Sequence, residues 1–508
     1  MKMEKEYKIL ILILILAYIL RVLPYLVGYD IPITDDSLRD FEQVKYIIDN
    51  NSINFNDHYG AFPVLHIIIF LISSLGANSL EVFLVFPQIF PVIGLLFFYL
   101  FLKKYFPEKQ CLFALFLIAV SSFHIYWSSL PVRETMGLFF FPLTIYLFDK
   151  EVEKKGLFNK LLLFFSFILL IMSHNWSTFM ALFFLFFYSI FFLKKRTYAF
   201  SLVGIFIALT LLYWVFVFNF AFEIIFDILK PAIIVLLILF LVLALFTKKI
   251  NLEKIKNARY AIIIGVILLI LAILSIKLTS FSYPIQAFIN PVIILLFILV
   301  GFFSTNDEKI EKLLKIAIFY LIFLLLAIVY YYILNVKTLY IIPFDALRIL
   351  EFLIFPLSII ASYGFFIIYG KIKRKYLLYS IIIILIVFGT FIYPSIFIYK
   401  TNFYGTPFYD IRSDIRYIPE EGFELIEWAN KNDYNVISNN YVIEEYQDIF
   451  YTKKNKTLIL ISEQDYKIEE NYEKIKDEKL GIPNPESLIS KTANMTAIHS
   501  NEWGRLYQ

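Results

Sequence analysis

Residues 28–62 read GYDIPITDDSLRDFEQVKYIIDNNSINFNDHYGAF, with seven acidic and two basic residues. The stretch lies between one apolar run, Ile9 to Val27, and a long succession of others. Carboxylates held beside a bilayer are costly to desolvate, so Asp30, Asp35, Asp36, Asp40 and Asp57, together with His58, mark this loop as a candidate reaction centre. Within it, Leu38, Phe41, Val44 and Ile48 recur at helical spacing. That predicts an amphipathic helix on the membrane surface, capped by Thr34 or Asp35. Asp36 and Asp40 fall one turn apart on one face. Such a pair either shares a divalent cation (Mg or Mn), divides into a general base and a group orienting a hydroxyl, or is a plain solvated face.

Working outward, the chain is 508 residues long, 60% apolar and only 17% charged. Soluble domains carry about a quarter charged residues, so the composition is that of a membrane protein. Apolar runs at 9–27, 82–102, 111–126, 134–148, 158–173, 178–193, 198–218, 231–247, 260–278, 287–303, 316–334, 348–369 and 377–398 predict about 13 transmembrane helices. The first lacks a small-residue cleavage site and is expected to be retained. The run 63–75 is too short to cross and is placed at the interface. With it left there, the alternating inner segments (1–8, 103–110, 149–160, 194–196, 248–259, 304–315, 371–375) hold 25 Lys and Arg against 7 on the outer loops. A cytoplasmic N-terminus in the plasma membrane follows from that bias, with loop 28–81 and the C-terminus outside. One cysteine, Cys111, excludes an intrachain disulfide, and no basic face suggests nucleic acid.

Residues 400–508 change character, with 19 acids, 13 bases and no spanning run. EEGFELIEWANKND predicts a helix with Phe423, Ile426 and Ala429 on one face. YNVIS and TLILIS predict strands, and AIHSNEWGRLYQ a hairpin turning at Asn501–Gly504. The chain therefore divides into a membrane domain, 1–399, and a small extracytoplasmic α/β domain, 400–508. Sequons at Asn455 and Asn494 are compatible with that side.

Further candidates sit at predicted outer helix mouths: Arg133 and Glu134 in SSLPVRETMG, His174 in SHNWST, and Arg348 in DALRILEF. Arg suits a phosphate because its planar fork donates two hydrogen bonds and stays charged. Each residue also has a plain reading: an interfacial anchor for Arg133 and Arg348, a salt-bridge partner for Glu134, a loop or anchor histidine for His58 and His174. In order along the chain come an acidic pair (Asp35-Asp36) after the first span, Gly60-Ala61-Phe62-Pro63 before a short surface helix, and an Arg at the outer start of a late span. This order resembles the GT-C fold membrane glycosyltransferases, the superfamily of protein O-mannosyltransferases, aminoarabinose transferases and oligosaccharyltransferases. It extends over residues 1–150 and, more loosely, the late spans; no Trp-Trp-Asp segment is present. The resemblance implies an all-α polytopic fold and an inverting sugar transfer from a polyprenyl (dolichyl-type) phosphate to a glycan, lipid or protein acceptor. It further implies Asp35 or Asp36 as base and Arg348 at the donor phosphate; the residues' own chemistry adds Arg133 at that phosphate and Asp40, His58, His174 and Glu134 as acceptor or metal contacts.

Two other classes stay open on the residues alone: a transporter or flippase of lipid-linked glycans, and a non-catalytic assembly subunit. A carrier is expected to bury ionisable groups within its spans or to break its helices in pairs. The spans read as nearly free of charge, with Arg21 near a span end, which disfavours a proton-coupled carrier and leaves a passive scaffold open.

Overall fold

Apolar segments in hydrocarbon must satisfy their own backbone groups, and here they do so as helices. A computed structural model describes residues 2–26, 35–55, 57–217, 286–304, 308–328, 346–371, 375–389, 425, 428–432, 434–437, 456–462, 497–500 and 504–507. The helices are α1 (Lys2–Leu26), α2 (Asp35–Asn50), α3 (Val64–Ser73), α4 (Ser79–Val85), α5 (Ile89–Lys103), α6 (Glu108–Val120), α7 (Ser122–Ser129) and α8 (Glu134–Glu153). They continue as α9 (Leu157–Ile171), α10 (Asn175–Phe191), α11 (Arg196–Val217), α12 (Gln286–Ser304), α13 (Glu308–Ile328), α14 (Ala346–Lys371) and α15 (Lys375–Gly389). By contacts the chain separates into two units, residues 1–23 with 46–392, and residues 24–45 with 393–508.

Among the described residues, 4 helices are long and apolar enough to cross a membrane: Glu6–Leu26, Ser79–Lys103, Arg196–Val217 and Glu351–Gly370. The expected count of about 13 is larger. Predicted spans 231–247 and 260–278 lie outside the described residues, and several others form helices shorter than about 20 residues. The run at 111–126 is one of these: it splits at Ser121, whose extended backbone (φ −66, ψ 122) separates the 13-residue α6 from the 8-residue α7. Helix α3 has 10 residues and rises about 15 Å, half of a hydrocarbon core about 30 Å thick.

Close helix contacts build the larger unit. A Cβ on Gly301 would strike the Ile360 carbonyl and one on Gly364 the Phe297 carbonyl, so α12 and α14 touch backbone to backbone. Aromatic rings fill the spaces between other helices: Phe113 stacks on Phe365 at 3.8 Å, Phe167 on Phe206 at 4.0 Å, and Phe98 meets Phe355 edge-on at 4.9 Å.

The break at Ser121 is held from several sides. Asn290 donates to the carbonyls of Val120 (2.9 Å) and Leu385 (2.8 Å) and accepts from the Ser122 amide (3.3 Å). Arg21 donates from α1 to Ala17 O (2.7 Å) and Ala119 O (3.2 Å). Arg21, Asn290, His124 and Glu351 are each 0% exposed. The spans therefore do carry ionisable groups, and Arg21 is among them, buried in the interior.

At the opposite ends of these helices, Lys104 pairs with Asp149 (2.7 Å) and Glu153 (2.9 Å). Asp149 also accepts from Tyr105 (2.6 Å) and Tyr188 (2.6 Å). Lys195 reaches Glu153 O (3.1 Å), and Lys309 reaches Tyr105 O (3.0 Å). Segments 103–110, 149–160, 194–196 and 304–315, grouped on one side by their charge, thus meet at one end of the bundle. Burial would depress the Lys104 ammonium, but its hydrogen bonds to Asp149 and Glu153 outweigh that and raise its pKa.

In the smaller unit, strands β1 (Tyr434–Ile437), β2 (Lys456–Ser462), β3 (Ala497–Ser500) and β4 (Gly504–Tyr507) form a sheet of order β1-β2-β4-β3. β1 and β2 are parallel, while β2–β4 and β3–β4 are antiparallel, with a register shift between Ala497 and His499. The predicted helix closes a turn where the Asn432 amide donates to Trp428 O (3.1 Å). Leu425 and Ala429 are buried; Phe423 and Ile426 lie outside the described residues.

Candidate functional site

The predicted surface helix forms as α2, beginning at Asp35. Leu38, Phe41 and Val44 are buried as the spacing predicted, but the stripe continues through Ile47, while Ile48 is 37% exposed. Asp40 does not lie on a solvated face: it is 0% exposed, beside buried Ser37, whereas Asp36 is half-buried. The Asp35 side chain, Thr34 and Asp30 are outside the described residues. So is the Arg348 side chain, although its backbone lies in the first turn of α14.

The candidates that meet are those at the starts of α8 and α10. Arg133 precedes α8 and lies over Tyr59 at 4.1 Å and Phe62 at 5.3 Å, measured from the guanidinium carbon to each ring centre. This cation–π contact fixes the guanidinium against the two rings. The loop beneath is shaped by Asp57, whose Oδ1 accepts from the amides of Tyr59 (2.7 Å) and Gly60 (3.3 Å). Tyr213 of α11 donates to Ala61 O at 2.7 Å. Exposed His58 meets Tyr59 and Phe62 edge-on at 5.5 and 6.0 Å. Asp57 thus organises the turn, and His58 flanks the same aromatic pair that carries Arg133.

Glu134, the first residue of α8, places Oε1 3.7 Å from Nδ1 of His174. His174 is the N-cap of α10: its Nδ1 accepts from the Ser177 amide (3.3 Å) and lies 2.9 Å from Ser177 Oγ. The pair is almost wholly buried, Glu134 at 1% and His174 at 3% exposed. Their approach depends on Gly137, one turn into α8. A Cβ there would come 2.7 Å from Ser177 Cβ and 3.0 Å from His174 Cβ.

Tautomer chemistry defines what this cluster can do. Neutral, with its proton on Nε2, His174 caps α10 through Nδ1; doubly protonated, Nδ1 becomes a donor toward Ser177 Oγ and the Glu134 carboxylate. Serine and glutamate meet the same ring nitrogen, so the three cannot act as a nucleophilic relay, which uses opposite nitrogens. Glu134–His174 is suited to binding a hydroxyl or taking a proton, and Arg133 to holding an anion.

Sequence reading missed Tyr59, Phe62, Gly137 and Ser177, as well as buried His124 and Asn290. The polar run SHNWST ahead of an apolar run marks a helix start, but a histidine as the cap itself is not signalled by it. The polar SSFH inside an apolar run is the mark of the broken helix. Among the described residues, no group of three or more His, Cys, Asp or Glu side chains is placed to hold a metal ion.

No family model and no curated protein matches this chain. Among solved structures it is similar to the archaeal oligosaccharyltransferase AglB from Archaeoglobus fulgidus, in complex with an inhibitory peptide and a dolichol-phosphate. The TM-score is 0.48 and the identity 14%, with 85% of this chain and 58% of that chain covered. This chain therefore spans less than two thirds of that enzyme's length.

Proposed function

We propose that the protein is an integral membrane glycosyltransferase. It takes a sugar from a polyprenyl (dolichyl-type) phosphate and transfers it, with inversion, to a glycan, lipid or protein hydroxyl at the outer face of the membrane. The observation that supports this most directly is the cluster at the starts of α8 and α10: an Arg stacked on two aromatic rings, followed in sequence by a carboxylate buried against an imidazole. The acceptor oxygen attacks the anomeric carbon as that carbon's bond to the phosphate oxygen breaks. The hydroxyl proton passes to a carboxylate, Asp36 or its neighbour Asp35, and the electron pair leaves with the phosphate. Arg133 and Arg348 are assigned to that growing negative charge. Glu134–His174 orients the acceptor, with His58 at its edge, while buried Asp40 belongs to the support of α2. The tail, 400–508, is assigned to the outer side with the loop.

The test is transfer from radiolabelled polyprenyl-phosphate sugars by the purified full chain. Asp35→Asn, Asp36→Asn and Arg133→Ala are compared with wild type. Loss of about 10²-fold or more in at least one Asp variant is expected for a general base; unchanged turnover in both removes the carboxylate assignment.

A second reading, a carrier of lipid-linked glycans, is favoured by the buried Arg21, His124 and Glu351 beside a broken helix. Movement of a labelled lipid-linked glycan across liposomes, with no sugar transfer, would select it.

A further inference from the structure

The two arginines assigned to the donor phosphate lie on chain segments far apart in sequence, and what joins those segments inside the bundle is an ionisable pair. His124 of α7 places Nδ1 3.6 Å from Oε1 of Glu351 of α14. Both residues are 0% exposed. His124 stands nine residues before Arg133, and Glu351 stands one turn after Arg348. Aromatic rings surround the contact: Phe355, one turn further along α14, meets the His124 ring at 5.5 Å and Phe141 of α8 at 5.1 Å. The far end of α7 is tied down where Gln88 donates to Ser129 O at 2.9 Å. Its near end is the break at Ser121, gripped by Arg21 and Asn290.

Packing alone does not call for this pair. A buried imidazole and carboxylate are commonly no more stabilising than apolar residues of the same volume, whereas a unique register is the attested use of such pairs. We propose that His124 and Glu351 are positioning residues: they lock the first turn of α14 against α7 so that the Arg348 and Arg133 positions are held as one site for a lipid-linked phosphate. This rests on the glycosyltransferase reading for its ligand, and on geometry alone for the lock.

Two measurements on the full-length protein in nanodiscs separate these. In the first, spin labels at Arg133→Cys and Arg348→Cys, in a Cys111→Ser background, report the distance between the two positions. A single narrow distribution is expected for native His124 and Glu351, and a broadened or shifted one for Glu351→Gln and for His124→Leu. The exchanged variant (His124→Glu with Glu351→His) restores the narrow distribution; a pair that merely fills space would not need its polar groups returned. In the second, polyprenyl phosphate binding without labels is expected to weaken at least tenfold in Glu351→Gln, with an unchanged melting temperature. Distances unchanged in Glu351→Gln overturn the lock. A wild-type protein that binds no polyprenyl phosphate overturns the donor assignment instead, while the distances still judge the lock.

Discussion

The Glu134 carboxylate and the His174 imidazole face each other at 3.7 Å across the first turns of α8 and α10, both almost fully buried. Both groups are enclosed between the two helix starts, so replacing the carboxylate by an amide of the same shape is expected to alter function more than fold. Glu134→Gln keeps the shape and is expected to lower sugar transfer by about 10²-fold, what a misplaced acceptor costs. Circular dichroism and the melting temperature stay near wild type. Turnover equal to wild type would demote the pair to a structural role.

Gly137 gives a sharper geometric test. Gly137→Ala places a methyl group against Ser177 and His174 and is expected to cost about 1–3 kcal/mol by overpacking, together with loss of turnover. Combining it with Ser177→Gly removes the nearest atoms the methyl meets, leaving His174 Cβ at 3.0 Å, and should recover part of the melting temperature. No recovery in the double variant would show that the clash lies elsewhere.

The stacked guanidinium distinguishes charge from shape. Arg133→Lys keeps the charge but loses the flat contact with Tyr59 and Phe62. Binding of polyprenyl phosphate by this variant is expected to fall about tenfold or more, because an ammonium lacks the fork that grips two phosphate oxygens. Equal affinity in a titration would reduce the arginine to a point charge.

At the other end of the bundle, Lys104 bridges α5 to Asp149 and Glu153 of α8. Lys104→Met leaves the Asp149 carboxylate, buried among two tyrosine hydroxyls, without its cation. A loss of about 2 kcal/mol is expected from one charge-assisted contact, read as a lower melting temperature in detergent. Turnover per folded molecule should be untouched.

Acid sensitivity follows from Glu108. Hydrogen bonds from Lys103 first, then with Glu6 and from Tyr99, lower its pKa from the ordinary carboxylate value to about 2. A carboxylate depressed in the folded state contributes stability above its unfolded pKa and loses it as the pH falls through the folded one. The melting temperature should therefore decline between pH 4.5 and about pH 2. Glu108→Gln should flatten that part of the profile; an identical decline in the variant would assign it to other carboxylates.

How much could be read from the residues follows from what periodicity encodes. Long apolar runs located most helices to within a few positions, and Leu38, Phe41 and Val44 showed the buried face of α2, because one helix alone determines that spacing. The shift from Ile48 to Ile47 and the burial of Asp40 depend on what covers the helix, which no local pattern contains. In the candidate site, Arg133, Glu134 and His174 stood out as charged or titratable groups at helix mouths. Their partners did not: Tyr59, Phe62 and Gly137 are ordinary residue types whose value comes from contacts across distant segments. The break at Ser121 left only the short polar SSFH as its mark, which the apolar residues on both sides average away in one hydropathic run.

That break has a consequence for how the chain is made. Helix α6 is too short to settle alone in a bilayer, and the side chain that seals its frayed end, Asn290, is 170 positions downstream of Val120. The ribosome must therefore deliver α12 before the earlier segment is complete, so the nascent protein matures in the membrane late and as a whole. Asn290→Leu is expected to leave the α6–α7 region open to protease in freshly synthesised chains, well after the flanking helices have become resistant.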